Sequence, residues 1–177
     1  MNYTIVNIIC NTKINQILDL NRISLECKNT EYEPEVYFAL IYRIEKPKLS
    51  ILVNKSGKII FTGAKKTDDI EKARELFFEN LRRIGYSPQK NIIHYQNIVS
   101  VMNLQKNLNL SKIKSERLDD SRLQYEPEIF PGIIFKNINP KFVGLIFSTG
   151  KIVLTGIKDE KDIPDRFSII EQIIEDN

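Results

Sequence analysis

Short apolar runs at residues 4–10 and 95–101 predict a strand at the start of each half of this chain. Apolar residues at roughly helical spacing follow each run. In the first half these are Ile14, Ile17, Leu18 and Leu25; in the second, more weakly, Leu104 and Leu108. Four strands are expected next in each half, the first of them over residues 37–43. Turn chemistry separates them. Pro47-Lys48 and Pro140-Lys141 mark one turn, and Lys55-Ser56-Gly57-Lys58 and Ser148-Thr149-Gly150-Lys151 mark a hairpin turn. Thr62-Gly63 and Thr155-Gly156 close the last strand. An amphipathic helix ends each half. In the first, Thr67 is placed to cap and Asp68 and Asp69 suit the positive end of the helix dipole. Ile70, Ala73, Phe77, Leu81 and Ile84 then recur at helical spacing, as do Phe167, Ile170, Ile173 and Ile174 in the second half.

The two halves are one text written twice. Residues 32–65 and 125–158 align without a gap and share 14 of 34 residues, where average composition would give about two. Upstream, Asn7-Ile8-Ile9 faces Asn97-Ile98-Val99, and Leu18, Leu20 and Ile23 face Leu108, Leu110 and Ile113. A period this long gives two half-domains, not a solenoid. Such halves pair their sheets into one continuous sheet, with helices on one face and the other face bare. Near two-fold symmetry also suits duplex DNA, the commonest near-symmetric partner in a cell.

In the predicted hairpins, Leu52, Asn54, Lys58, Ile60 and Thr62 fall on one side of the pleat, matched by Leu145, Phe147, Lys151, Val153 and Thr155. A core face has no use for Lys and Thr at this spacing. A minor groove does, since apolar atoms meet sugars and base edges while lysine meets phosphate. Periodicity alone does not separate that reading from an ordinary half-exposed sheet.

Net charge, at +3, argues nothing, but its distribution does. Residues 43–66 hold seven Lys or Arg against one acid, and residues 136–158 hold four lysines and no acid. From Asp159 onward the balance reverses to seven acids against two bases. Basic charge in the repeated core fits a surface that meets phosphates, although lysines guarding strand edges account for part of it. Cys10 and Cys27 lack metal-type spacing and fit a reducing compartment. No apolar run is long enough to span a membrane, and MNYTIV lacks the layout of a signal peptide.

The motifs VNI around Asn7, QNIV at 96–99, SGKIIFTGAK at 56–65, YEPEIFPG at 125–132 and LIFSTGKIVLTG at 145–156 carry a resemblance. Across essentially its whole length the chain resembles the TATA-box-binding protein family of general transcription initiation factors, as a divergent member. The resemblance implies an α+β fold: a pseudo-two-fold saddle of two β-α-β4-α repeats. It would have a ten-stranded antiparallel curved sheet with four helices on the convex face. Residues 1–177 would form one domain, with repeats at about 1–88 and 89–177. The implied function is binding the minor groove of A·T-rich promoter DNA, bending it and recruiting initiation factors, without any cofactor or metal. The location implied is nuclear in a eukaryote, cytoplasmic in an archaeon, or a viral replication compartment.

Residue by residue, Asn7 and Asn97 match the paired asparagines at the central base pairs, with Thr62 and Thr155 beside them. Ile9, Val99, Ile60, Val153, Leu52 and Leu145 match the apolar residues on the groove floor. Arg43, Lys58, Lys65, Lys136, Lys151 and Lys158 match backbone-contacting bases. The family inserts two phenylalanines per half between base steps. Phe130 and Phe147 match the second-half pair, but the first-half positions hold Tyr37 and Asn54. Phe38 also stands where a small residue or proline is usual. A shallower kink at the first-half end is therefore expected. Glu126, Glu128 and Ile129 match the contacts of a B-type general initiation factor. The first-half turn at residues 33–36 matches the place of an A-type factor, with RNA polymerase machinery beyond.

No residue set supports catalysis. His94 is the sole histidine, and Asp68-Asp69 and Asp119-Asp120 lack a partner histidine or cysteine. Gly57 and Gly150 lie in hairpins and not before a helix, so no phosphate-cradling loop is present. The competing reading is a related factor acting mainly as a protein-interaction platform, its hold on TATA DNA weakened by Tyr37 and Asn54.

Overall fold

Alternation of buried and half-exposed residues along each strand is the main organising feature of the computed structural model, which describes residues 2–175. The first half contains β1 (Tyr3–Lys13), α1 (Leu20–Glu26), β2 (Thr30–Glu31), β3 (Leu40–Glu45), β4 (Lys48–Val53), β5 (Lys58–Ala64) and α2 (Thr67–Arg83). The second repeats the plan with β6 (His94–Asn103), α3 (Leu110–Ser115), β7 (Leu123–Gln124), β8 (Gly132–Asn137), β9 (Phe142–Phe147), β10 (Lys151–Ile157) and α4 (Ile163–Glu175). Hydrogen bonding orders the strands β2-β3-β4-β5-β1 in the first half and β6-β10-β9-β8-β7 in the second, with β2 and β7 at open edges. The β-α-β4-α order expected for each half is therefore present. The chain divides into two compact units, Asn7–Gln96 and Met1–Val6 with Asn97–Asn177.

In the unit Asn7–Gln96, Ile51, Val53, Ile59 and Phe61 turn one face of the sheet inward. Helix α2 buries Ile70, Ala73, Phe77, Phe78 and Leu81. The Tyr42 and Phe77 rings meet at 5.3 Å, and Asn80 Nδ2 donates to the Tyr42 hydroxyl at 2.9 Å. Each buried aliphatic or aromatic side chain contributes about 1.5–3 kcal/mol, so this stripe dominates the helix's attachment. In the other unit, α4 does the same with Ile163, Phe167, Ile170, Ile173 and Ile174. Gly144 in β9 makes room for it: a Cβ there would stand 2.6 Å from Ile170 Cδ1.

Several expected boundaries move. Thr67 is the first helical residue of α2, and the cap position falls on Lys66, which makes no side-chain cap bond. Asp68 and Asp69 do occupy the first turn. The segment from Ile14 to Leu18 is not helical. Ile14 N–H donates to Gly57 O and Leu18 N–H to Lys55 O, which straps it along the hairpin turn. Leu104 and Leu108 donate in the same way to Gly150 O and Ser148 O. The short helices begin later, capped by Asp19 and Asn109, and Ile17 and Leu25 stay exposed. Tyr37 lies before β3, because Glu33 O accepts from both Val36 N–H and Tyr37 N–H and closes a turn there.

Candidate nucleic-acid interface

The second face of each sheet unit is half-exposed, and the expected site residues lie on it. Leu52, Asn54, Ile60 and Thr62 alternate with the buried Ile51, Val53, Ile59 and Phe61. Leu145, Phe147, Val153 and Thr155 alternate with the buried Ile146, Ile152 and Leu154. Register joins them across strands: Leu52 opposes Ile60 and Leu145 opposes Val153. Asn7 and Ile9 on β1, and Asn97 and Val99 on β6, show the same half-exposure. Sequence reasoning missed Asn11 and Val101, which oppose Ile60 and Val153, and Ile41 and Ile134, which oppose Leu52 and Leu145. Carrying the pleat alternation one strand further on each side would have found them.

Each asparagine is oriented by a backbone group. In β5 and β10 the ladder slips by one residue near Gly63 and Gly156, whose φ values are +93° and +87°. This bulge turns the glycine N–H toward the neighbouring strand. Gly63 N–H donates to Asn7 Oδ1 at 2.8 Å, and Gly156 N–H donates to Asn97 Oδ1 at 2.8 Å. An oxygen pinned by a donor fixes the amide orientation and makes Nδ2 the donor end of each side chain. Thr155 Oγ1 lies 3.1 Å from Asn97 Nδ2 and 3.2 Å from its Oδ1, which tightens the second-half arrangement further.

Around this half-exposed strip stand cations. Lys58, Lys65, Lys136, Lys151 and Lys158 are exposed, and Lys13 joins Lys58 by register. Arg43 is exposed but engaged: its Nε and Nη2 donate to Glu31 Oε1 and Oε2 at 2.8 and 2.9 Å. That bidentate pair holds the Glu31 carboxyl below its usual range and raises the guanidinium further. Among the predicted phosphate ligands, Arg43 is thus internally neutralised. Lys136 faces no such partner at the matching register, where Gln124 replaces Glu31.

The aromatic positions differ between halves. Phe130 and Phe147 are half-exposed, with ring centroids 5.7 Å apart at 61°. Asn54 offers no ring to Tyr37, which instead meets Phe38 at 4.8 Å and 46°. Glu126, Glu128 and Ile129 lie together on an exposed turn closed by Glu126 O, which accepts from Ile129 N–H and Phe130 N–H. Ile129 is 79% exposed. Asp120 is held by Arg122 through Oδ1 and Oδ2, and that guanidinium sits 5.3 Å from the Phe135 ring, so this acid is a structural clamp. His94 opens β6 and is exposed. No helix among the described residues is long and apolar enough to cross a membrane.

The duplicated order of elements defines a class of duplicated antiparallel-sheet proteins. The family model described as transcription factor TFIID, or TATA-binding protein, matches residues 2–84 and 92–177. The chain belongs to the TATA-binding protein family. It is 42% identical to the TATA-box-binding protein of Picrophilus torridus over 90% of this chain and 87% of that one. It is 38% identical to TATA-box-binding protein 1 of Haloferax volcanii over 94% and 88%, respectively. The solved structure of Methanococcus jannaschii TBP matches with a TM-score of 0.90 at 35% identity, covering all of both chains.

Proposed function

We propose that the chain is a general transcription initiation factor that binds the minor groove of A·T-rich, TATA-type promoter DNA, bends it and recruits initiation machinery. The observation that carries this reading is the pair of pinned carboxamides, Asn7 and Asn97. Adenine N3 and thymine O2 are acceptors, so an outward amide nitrogen satisfies either. A guanine amino group would press a second donor against this strip and its aliphatic flanks. Ile9, Leu52, Ile60, Val99, Leu145 and Val153 lie against sugars and base edges, and the lysines meet phosphates. Phe130 and Phe147 enter a base step, whose unstacking costs about a few kcal/mol. Residues 1–177 act as one domain of two repeats.

The turn bearing Glu126, Glu128 and Ile129 docks a B-type initiation factor, and the turn at 33–36 an A-type factor, with the polymerase machinery assembled beyond them. The protein works in the cytoplasm of an archaeal host or the nucleus of a eukaryotic one. A mobility shift with a TATA duplex and a G·C-substituted control tests the reading. A shifted TATA duplex beside an unshifted control is expected, and equal shifts would refute it. The Glu31 clamp on Arg43 and the amide at Asn54 favour the platform reading instead. A shift that appears only when the B-type factor is added would select that alternative.

A further inference from the structure

We propose that Phe38 supplies the second ring of the first-half wedge, replacing the ring that Asn54 lacks, and that it enters a terminal A·T-type base step with Tyr37. This assignment rests on the DNA-binding reading above. Its starting point is how the second-half pair is seated. Gly132 opposes Phe147 in the β8–β9 ladder. A Cβ on Gly132 would stand 2.8 Å from Ile146 O, 3.0 Å from Phe130 Cε1 and 3.2 Å from Phe147 Cδ1, so the missing side chain leaves room for the facing strand and for both rings. The matching first-half residue is Ala39, which is buried and carries that methyl. That methyl narrows the matching seat beside a ring at 37, and the residue opposite has become Asn54 in the same half.

The first-half rings adopt another arrangement. Tyr37 is 39% exposed and Phe38 68% exposed, with centroids 4.8 Å apart. Both follow the turn closed by Glu33 O, as Phe130 follows the turn closed by Glu126 O. An exposed lone phenylalanine is common and needs no account. A tilted pair of exposed rings, at the place where the sister half keeps its wedge, is a built apolar tip. Phe38 replaces Pro131 of the second half, so the ring lost at 54 reappears beside Tyr37. Its exposure means that removing it leaves the core intact.

The test places a fluorescent adenine analogue at one or the other terminal step of a TATA duplex and reads its unstacking. In a Phe130→Ala, Phe147→Ala protein the remaining signal belongs to the first half. Adding Phe38→Ala should cut that signal at least about fivefold, the low end of the effect of losing one base–aromatic stack. Adding Asn54→Phe to the triple variant should restore less of it while Ala39 stands than Asn54→Phe combined with Ala39→Gly. An unchanged signal in the Phe38→Ala protein, with DNA still bound, overturns the assignment alone. Wild-type protein that fails to shift the TATA duplex overturns both this assignment and the reading beneath it.

Discussion

Asn97 shows how one side chain is made specific by what its other end holds. Gly156 N–H pins Oδ1, so in the proposed function Nδ2 is the end offered to a base. Asn97→Asp keeps an oxygen for Gly156 and sets a second acceptor where donors stood. Against adenine N3 and thymine O2 that oxygen is repelled, whereas a guanine amino group would bond it. The ratio of TATA to G·C-duplex affinity should fall about tenfold or more, since a good base contact is worth about 1–3 kcal/mol. Titration of both duplexes checks this, and an unchanged ratio would remove Asn97 from base reading. Cys10 represents the opposite case, a residue sealed from chemistry. Burial, helped by Glu71, pushes its thiol from 9.0 up to about 12. A folded pKa raised above the unfolded one contributes stability below about 9 that is lost as pH climbs toward 12. Melting curves across that window should fall more steeply for the wild type than for Cys10→Ala, and the folded thiol should resist alkylation at pH 8.

Strand β10 carries the bulge that aims Gly156, and the element fails if that residue gains a side chain. At φ +87° an alanine is strained, although the nearest atom to its Cβ would be Phe142 Cα at 3.4 Å. The cost is therefore conformational, about 1–2 kcal/mol. Gly156→Ala should lower the melting temperature by about 2–8 °C in a chain of this size and loosen A·T discrimination with it. Calorimetry and the duplex titration together would show whether the two losses travel as a pair. Elements of this kind were readable in advance, because Thr-Gly recurs at 62–63 and 155–156 and period-two alternation marks the half-exposed face. Helix α2 was also visible in Ile70, Ala73, Phe77 and Leu81. The strap from Ile14 to Leu18 was not, since its backbone donors go to a hairpin some forty residues away and its apolar spacing imitates a helix. The Glu31–Arg43 pair was likewise hidden, because two-residue β2 has too little pattern to announce its register.

At the scale of the whole chain the two units repeat one plan with unequal charge and unequal rings, so a DNA partner should feel them differently. Arg43 is tied to Glu31, whereas Gln124, which holds the place of Glu31 in the second half, brings no charge to Lys136. Each phosphate neutralised by a free cation contributes a slope of about −0.9 in log affinity against log salt. Lys136→Ala should therefore reduce the magnitude of the slope by about 0.9. Arg43→Ala should change it little. Glu31→Gln should free Arg43 and steepen the slope by about 0.9. Acid should act in the same direction as Glu31→Gln. The Glu31 carboxyl is depressed by its hydrogen bonds to Arg43, so the pair stabilises the fold above the usual carboxylate range. That contribution is lost as pH falls through the folded value, and the guanidinium is released. Binding isotherms over a salt series for the three variants decide the matter. Equal losses of slope in Lys136→Ala and Arg43→Ala would show that the clamp opens freely on DNA and that the charge asymmetry has no consequence for binding.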